Sequence, residues 1–323
     1  MKMLLCADVQ LGAACAENLG VNLSHKWQAA RMEKLTDLID RTAQNNAGYL
    51  ALFGRMFGPG RILESTIDRL FQAAIEEKEI QILAFTMADE YQRISYRNDI
   101  PENFHLLCVQ AEDAFQDQNI AVRIHNGGIE LQLADNAPVR VQKNAEKRFM
   151  LSGAGENQIV PSFEPVGFED AQETQFGYSV LEWNDETLVG CRRIENQKYA
   201  FRSVEARLCP VDEPNDILQK IRTATANLSA DTFLRITMTG QSAFGVTLNS
   251  KALQRQLQNR IFFAEVYDNT VMDIDEEAFE NDISLRSEFV RLALRDDSLS
   301  ESERSRLISF GWNALNGREV SAE

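Results

Sequence analysis

The sequence is short of the side chains that hold transition metals. Three histidines occur in 323 residues, His25, His105 and His125, far apart and outside any recognisable motif. Isolated histidines of this kind are ordinary surface or core residues, and a new site built from His25, His105 and Asp89 has no spacing to recommend it. The five cysteines, Cys6, Cys15, Cys108, Cys191 and Cys209, are odd in number and form no Cys-x-x-Cys pair. That excludes a zinc knuckle and points to a reduced, cytoplasmic protein. Cys6 has no histidine near it in sequence and reads as a buried apolar residue. No apolar run reaches the length of a membrane span. Met1–Asp8 is too short for a signal h-region and reads as a first strand. A Gly-x-x-x-x-Gly-Lys-Ser/Thr loop and a Gly-x-Ser-x-Gly elbow are both missing, which removes P-loop NTPases and α/β-hydrolases. Positive charge is scarce as well: 33 Lys and Arg face 49 Asp and Glu, for a net charge of −16. Duplex DNA repels such a chain unless basic groups cluster locally.

What is present is a 44% hydrophobic chain, long enough for one large domain and a smaller one. Met3–Val9 reads as a strand and 13–24 as a loop. Trp27–Gln44 is a helix on the spacing of Trp27, Met32, Leu35, Leu38 and Ile39. Tyr49–Phe53 is a buried strand, Leu63–Glu77 a helix and Ile80–Phe85 a strand. This β-α-β-α-β order predicts a parallel sheet with crossover helices. From Phe104 to Cys191 short β runs take over, with a turn at Asn126-Gly127-Gly128, and predict a second sheet packed on the first. Ser203–Leu208, Pro214–Leu228, Thr232–Thr239, Ser250–Arg260 and Phe262–Asp268 repeat the β-α-β-α-β order as a small α/β module. Two amphipathic helices close the chain after an acidic stretch at 276–282. The expected division is 1–200, 201–270 and 271–323.

The strand Tyr49–Phe53 runs into Gly54-Arg55-Met56-Phe57-Gly58. In open α/β sheets the chemistry sits past the carboxyl end of such a strand. Asp8-Val9-Gln10-Leu11-Gly12 follows the first strand and Thr86-Met87-Ala88-Asp89 the third. Ser152-Gly153-Ala154-Gly155, Pro161–Phe168 and Gly177–Glu182 come later. In order and spacing these segments resemble the calcineurin-like metallophosphoesterases, in particular the bacterial DNA-repair exonuclease branch of SbcD and YhaO type. Arg31-Met32-Glu33-Lys34-Leu35 is similar to that family's Arg-led helix. Ser284–Arg291 and Ala314–Val320 are similar to the YhaO-type C-terminus. The resemblance implies a two-sheet αββα sandwich with a small α/β cap domain and C-terminal helices. It covers nearly the whole chain.

The resemblance also implies where two metals would sit, and there the residue types have changed. Asp8 alone keeps a ligand side chain. Gln10 stands for a histidine, and an amide is a poor ligand for a transition metal. Arg55 stands for the bridging carboxylate and brings a permanent positive charge, which can pair with Asp8. Met87 and Ala88 stand for an asparagine and a histidine, with Asp89 beside them. Gly153 and Gly155 cannot ligate through side chains. One carboxylate and a cation do not hold two ions. The expectation is a pseudoenzyme without cofactor, the alternatives being a divergent Mn-dependent nuclease or a cleft that binds an anion or nucleotide.

In the resembling family the tail docks on the coiled coil of an SMC-like ATPase. Phe289, Val290, Leu294, Phe310 and Trp312 are the expected anchors, or else they close the chain's own cap. DNA would be reached through that complex, and the resemblance also implies two-fold dimers. Two basic groups, Arg140, Lys143, Lys147 and Arg148, then Arg192, Arg193, Lys198 and Arg202, are either phosphate contacts or solvated faces that balance the acids.

Overall fold

The computed structural model describes residues 1–317 except 18, 60–61, 134–135, 137, 145–147, 154–156, 174, 186, 245–249, 275–276, 278 and 280–281. The fold is mixed α/β, with eight helices and sixteen strands among the described residues. The chain divides into two compact units, Met1–Tyr199 and Ala200–Glu323. The segment expected as a third domain, 271–323, falls within the second unit. Among the described residues no helix is long and apolar enough to cross a membrane.

In the first unit, β1 (Lys2–Ala7), β2 (Tyr49–Phe53), β3 (Gln81–Thr86) and β4 (Phe104–Cys108) pair in parallel. β11 (Gly177–Trp183) lies antiparallel to β1 and β12 (Leu188–Glu195) to β11, giving the order β12-β11-β1-β2-β3-β4. The central strands are apolar on both faces because both are covered. Leu4, Cys6, Leu50, Leu52, Ile82 and Ala84 meet the helices α1 (Val21–Gln44) and α2 (Glu64–Glu76). Met3, Leu5, Tyr49, Ala51, Phe53 and Phe85 meet the second sheet.

That second sheet is a meander: β5 (Ala114–Gln116), β6 (Ile120–His125), β7 (Gly128–Leu133), β8 (Val139–Lys143), β9 (Phe149–Ser152) and β10 (Gln158–Ile159). Asn126 and Gly127, both at positive φ, turn β6 into β7. Its strands alternate, with Ile120, Val122, Ile124, Ile129, Leu131, Val139 and Val141 inward and Arg123, His125 and Arg140 outward in solvent. The outward residues of this sheet are polar, and α1 and α2 pack on the first sheet's other face. Two differences concern helices. α1 begins at Val21, inside the expected loop, because its first turns are largely exposed and carry no apolar period. A short helix α3 (Ala88–Ile94) starts directly after β3, and α4 (Phe168–Glu173) follows β10.

The second unit has β13 (Ala200–Leu208), α5 (Pro214–Ala224), β14 (Thr232–Ala243), α6 (Ser250–Gln258) and β15 (Phe263–Asp268), its strands parallel in the order β13-β14-β15. Ile217, Ile221, Leu253 and Leu257 pack on Leu234, Ile236 and Met238. A capping box between Glu213 and Asp216, with Pro214 in the first turn, starts α5. β16 (Val271–Asp273) pairs with the far end of β14. The helices α7 (Leu285–Leu294) and α8 (Glu301–Leu315) are capped by Ser284 and Ser300.

The tail anchors are corrected by this packing. Val290 and Ile308 are fully buried with Met272 and Phe279. Phe289 lies on the backbone of Gly311, Leu294 packs on the same core, and Trp312 meets Phe244 edge-on at 4.6 Å. Of the five, Phe310 alone is exposed, at 47%. The apolar period read from sequence is the face that closes the unit's own second core. A different row stands in solvent: Ile283, Leu285, Leu292, Leu307 and Phe310.

Candidate functional site

The carboxyl ends of β1, β2 and β3 are laced together by backbone. Asp8 N–H donates to Phe53 O at 2.8 Å, Gln10 N–H to Arg55 O at 3.0 Å and Leu11 N–H to Met56 O at 2.8 Å. Gly54 N–H donates across to Phe85 O at 3.0 Å. To follow this path Asp8 and Gln10 both take positive φ, 49° and 50°, a left-handed conformation uncommon for residues with a side chain.

Two carboxylates fill the hydrogen-bonding groups of the loop after β2. Asp8 Oδ1 accepts the backbone N–H of Arg55 at 3.1 Å. Glu90, in the first turn of α3 and 2% exposed, accepts Met56 N–H at 3.2 Å and Phe57 N–H at 3.1 Å, one on each oxygen. Burial pushes the Glu90 carboxyl up to about 7, against these two amides and the Arg55 charge. Burial also raises Asp8, opposed by the Arg55 amide and by the charges of Lys143 and Arg55.

The Arg55 guanidinium turns away from Asp8. It lies 3.4 Å from Asp89 Oδ2 and 4.0 Å from Glu90 Oε1. The expected Arg55–Asp8 ion pair is therefore a backbone-to-carboxylate bond, and the side chain pairs with α3. With Arg55 44% and Asp89 54% exposed, that pair contributes about 0–1 kcal/mol. The buried Glu90 contacts matter more.

Gly54, at φ 82°, leaves no room for a side chain. A Cβ there would stand 2.4 Å from Asp8 Oδ1 and 2.8 Å from the Phe149 ring. The Phe149 ring also carries the Lys143 ammonium, 4.7 Å from its centroid. Lys143 therefore belongs to the surroundings of Asp8, brought there by the packing of the second sheet on the first. Its place in a basic run of β8 gave no sign of this.

The remaining positions are scattered. Met87 is the N-cap residue of α3, and Ala88 N–H donates to Gln110 at 2.8 Å. Gly153 has φ 92° and its Cα faces Pro138 O. Gly155 and Lys147 lie outside the described residues. Arg140 pairs with Glu130 at 3.2 Å, Arg192 with Glu182 at 3.9 Å and Arg193 with Glu195 at 3.3 Å. Arg148 donates its amide to Asn144 at 2.9 Å. Arg140 and Lys143 sit on the second sheet and Arg192 and Arg193 on the first, so the two basic groups do not form one stripe.

Among the described residues no three His, Cys, Asp or Glu side chains converge as a metal cage. Asp8 and Asp89 are separated by the Arg55 loop, and Glu90 uses both oxygens on backbone amides. No family model matches the chain, and no curated protein matches it. Glu90 escaped sequence reasoning, and Lys143 was read only as part of a basic group, not as a neighbour of Asp8. The signal for Glu90 was an acid at the start of an unrecognised helix following a strand.

Proposed function

We propose that this chain is a calcineurin-like phosphoesterase shell of SbcD/YhaO type whose reaction centre is filled by its own side chains. In this reading it serves as the non-catalytic subunit of an SMC-like ATPase complex that handles DNA in repair or phage defence. The observation that carries the reading is the loop after β2. Arg55 stands where the resemblance calls for a bridging carboxylate, its amide is taken by Asp8, and the next two amides are taken by Glu90. Two packed sheets, with α1 and α2 on the first, and a second α/β unit support the reading.

The test is elemental analysis of protein purified without chelator and soaked in Mn, paired with a DNA-cleavage assay. Far less than one ion per chain and no cleavage are expected, for Arg55→Asp as well as the parent. About two ions per chain, with cleavage lost in Asp8→Ala, would establish the divergent metal-dependent nuclease instead. Binding of an anion or nucleotide has less support. Asp8 and Asp89 already balance Arg55 and Lys143 beside the loop after β2, so added phosphate is expected to leave the melting temperature unchanged.

The partner part of the reading rests on the exposed row of the tail. Leu285 and Leu292 are seven residues apart, and Leu307, Phe310 and Ala314 follow a three-four spacing, all exposed. That is the seam pattern of coiled coils. Leu292→Glu with Phe310→Glu is expected to leave the melting temperature within about 2 °C, since exposed sites contribute little. The same pair should abolish co-purification with a coiled-coil ATPase encoded beside this chain. Ile308→Ala, in the core, is expected to cost about 2–5 kcal/mol by denaturant melts. Unchanged co-purification of the double variant would remove the tail from the interface.

A further inference from the structure

The inward face of α1 carries two cations one turn apart, Arg31 and Lys34, 1% and 8% exposed. Arg31 donates to Val9 O at 2.7 Å, Pro165 O at 3.1 Å and Glu164 O at 3.4 Å. Its guanidinium stacks near Trp27 and Phe163. Lys34 donates to Glu164 Oε1 at 2.5 Å, to Phe163 O at 2.7 Å and to Asn196 O. The same Glu164 oxygen accepts Lys198 N–H at 2.7 Å, and the Trp27 ring lies 5.1 Å from that of Tyr199. Buried charges of this kind are expensive to leave half-paired, so the set stands or falls together.

Arg31 therefore grips the loop beside Asp8, while Lys34, through the shared Glu164, grips 196–199, the last residues of the first unit before β13. We infer that Arg31, Lys34 and Glu164 are a mechanical relay: α1 ties the loop after β1 to the junction leading into the second unit, so that the two segments open together. Val9 adjoins Asp8, so a displacement at the candidate site is transmitted to the junction. The inference goes beyond the proposed function and holds whether or not the site is catalytic.

Hydrogen exchange on the full chain tests it. Arg31→Lys keeps the charge but cannot reach Val9, Glu164 and Pro165 at once. Exchange is expected to rise on the order of tenfold in 8–11 and in parallel in 196–199, with the amides of β2 still protected. Lys34→Met should loosen the same two segments. Glu33→Ala removes only the 3.7 Å contact to the Lys198 ammonium and should move neither. Arg31→Lys loosening 8–11 alone, or Lys34→Met loosening 196–199 alone, would overturn the relay. Should both variants unfold, the parent in sub-denaturing urea decides: the two segments must exchange with one common opening free energy, and two distinct values would refute the coupling.

Discussion

Gly54→Ala is expected to be a severely damaging substitution in the site. The backbone there has φ 82°, which costs an L-residue about 1–2 kcal/mol. The new methyl would also stand 2.4 Å from Asp8 Oδ1 and 2.8 Å from the Phe149 ring. Asp8 must then leave the Arg55 amide, or Phe149 must leave the sheet interface. Overpacking of this kind adds about 1–3 kcal/mol, so the total loss is roughly 2–5 kcal/mol by denaturant unfolding. Gly12→Ala separates the two causes. Gly12 has φ 69° with nothing within 4 Å of its missing Cβ, so it pays the backbone cost alone, about 1–2 kcal/mol. Equal losses at the two glycines would show that the contact with Asp8 is not what makes Gly54 necessary.

The second large effect is one of pH. Glu90 titrates near 7 in the folded chain and near the ordinary 4.5 when unfolded. Between these values the folded state holds a proton that the unfolded state has lost. Its stabilising contribution is complete below about pH 4.5 and is lost as pH rises through 7. The change amounts to about 3 kcal/mol. Asp8, also raised by burial, adds in the same direction. Glu90→Gln stays neutral throughout, so urea melts from pH 5 to 8 should show the variant gaining on the parent by about that amount. The acid already resembles the amide at pH 5, and there the two should lie close together. A parent whose advantage over Glu90→Gln grows with pH would mean that the Met56 and Phe57 amides outweigh burial.

The architecture was legible where one face or one period dominates. Tyr49–Phe53 is a strand at the expected bounds because all five residues are buried. The second sheet was foreseen from its short runs and the Asn126-Gly127 turn, but three of the runs assigned to it, at Phe104–Cys108, Gly177–Trp183 and Leu188–Glu195, pair into the first sheet instead. The helical layer expected over its outer face came from resemblance alone, since Arg123, His125 and Arg140 on that face carry no apolar pattern. The site was less readable. Its positions at Asp8 and Arg55 are adjacent as expected, but pairing depends on side-chain direction, which sequence order does not carry. Glu90 turns back onto the Arg55 loop because α3 begins directly after β3. Lys143 arrives from another sheet. In the tail, the period of Phe289, Val290 and Leu294 marked a buried face correctly, but whether a face is buried by its own chain or by another is not a property of its period.

The pairing of β1 has a consequence for how the chain is made. One edge of β1 meets β2 soon after both emerge, while its other edge waits for β11, with Leu4 opposite Val180. At 5–20 residues per second, the interval between these two strands is on the order of 10 s of synthesis. Throughout that time a largely apolar strand of the nascent chain presents an open ladder, the kind of edge that recruits other chains. The first unit therefore closes late and through distant contacts, which makes its folding slow. Its yield in the cell is set by what shields β1 during translation as much as by the stability of the finished sheet.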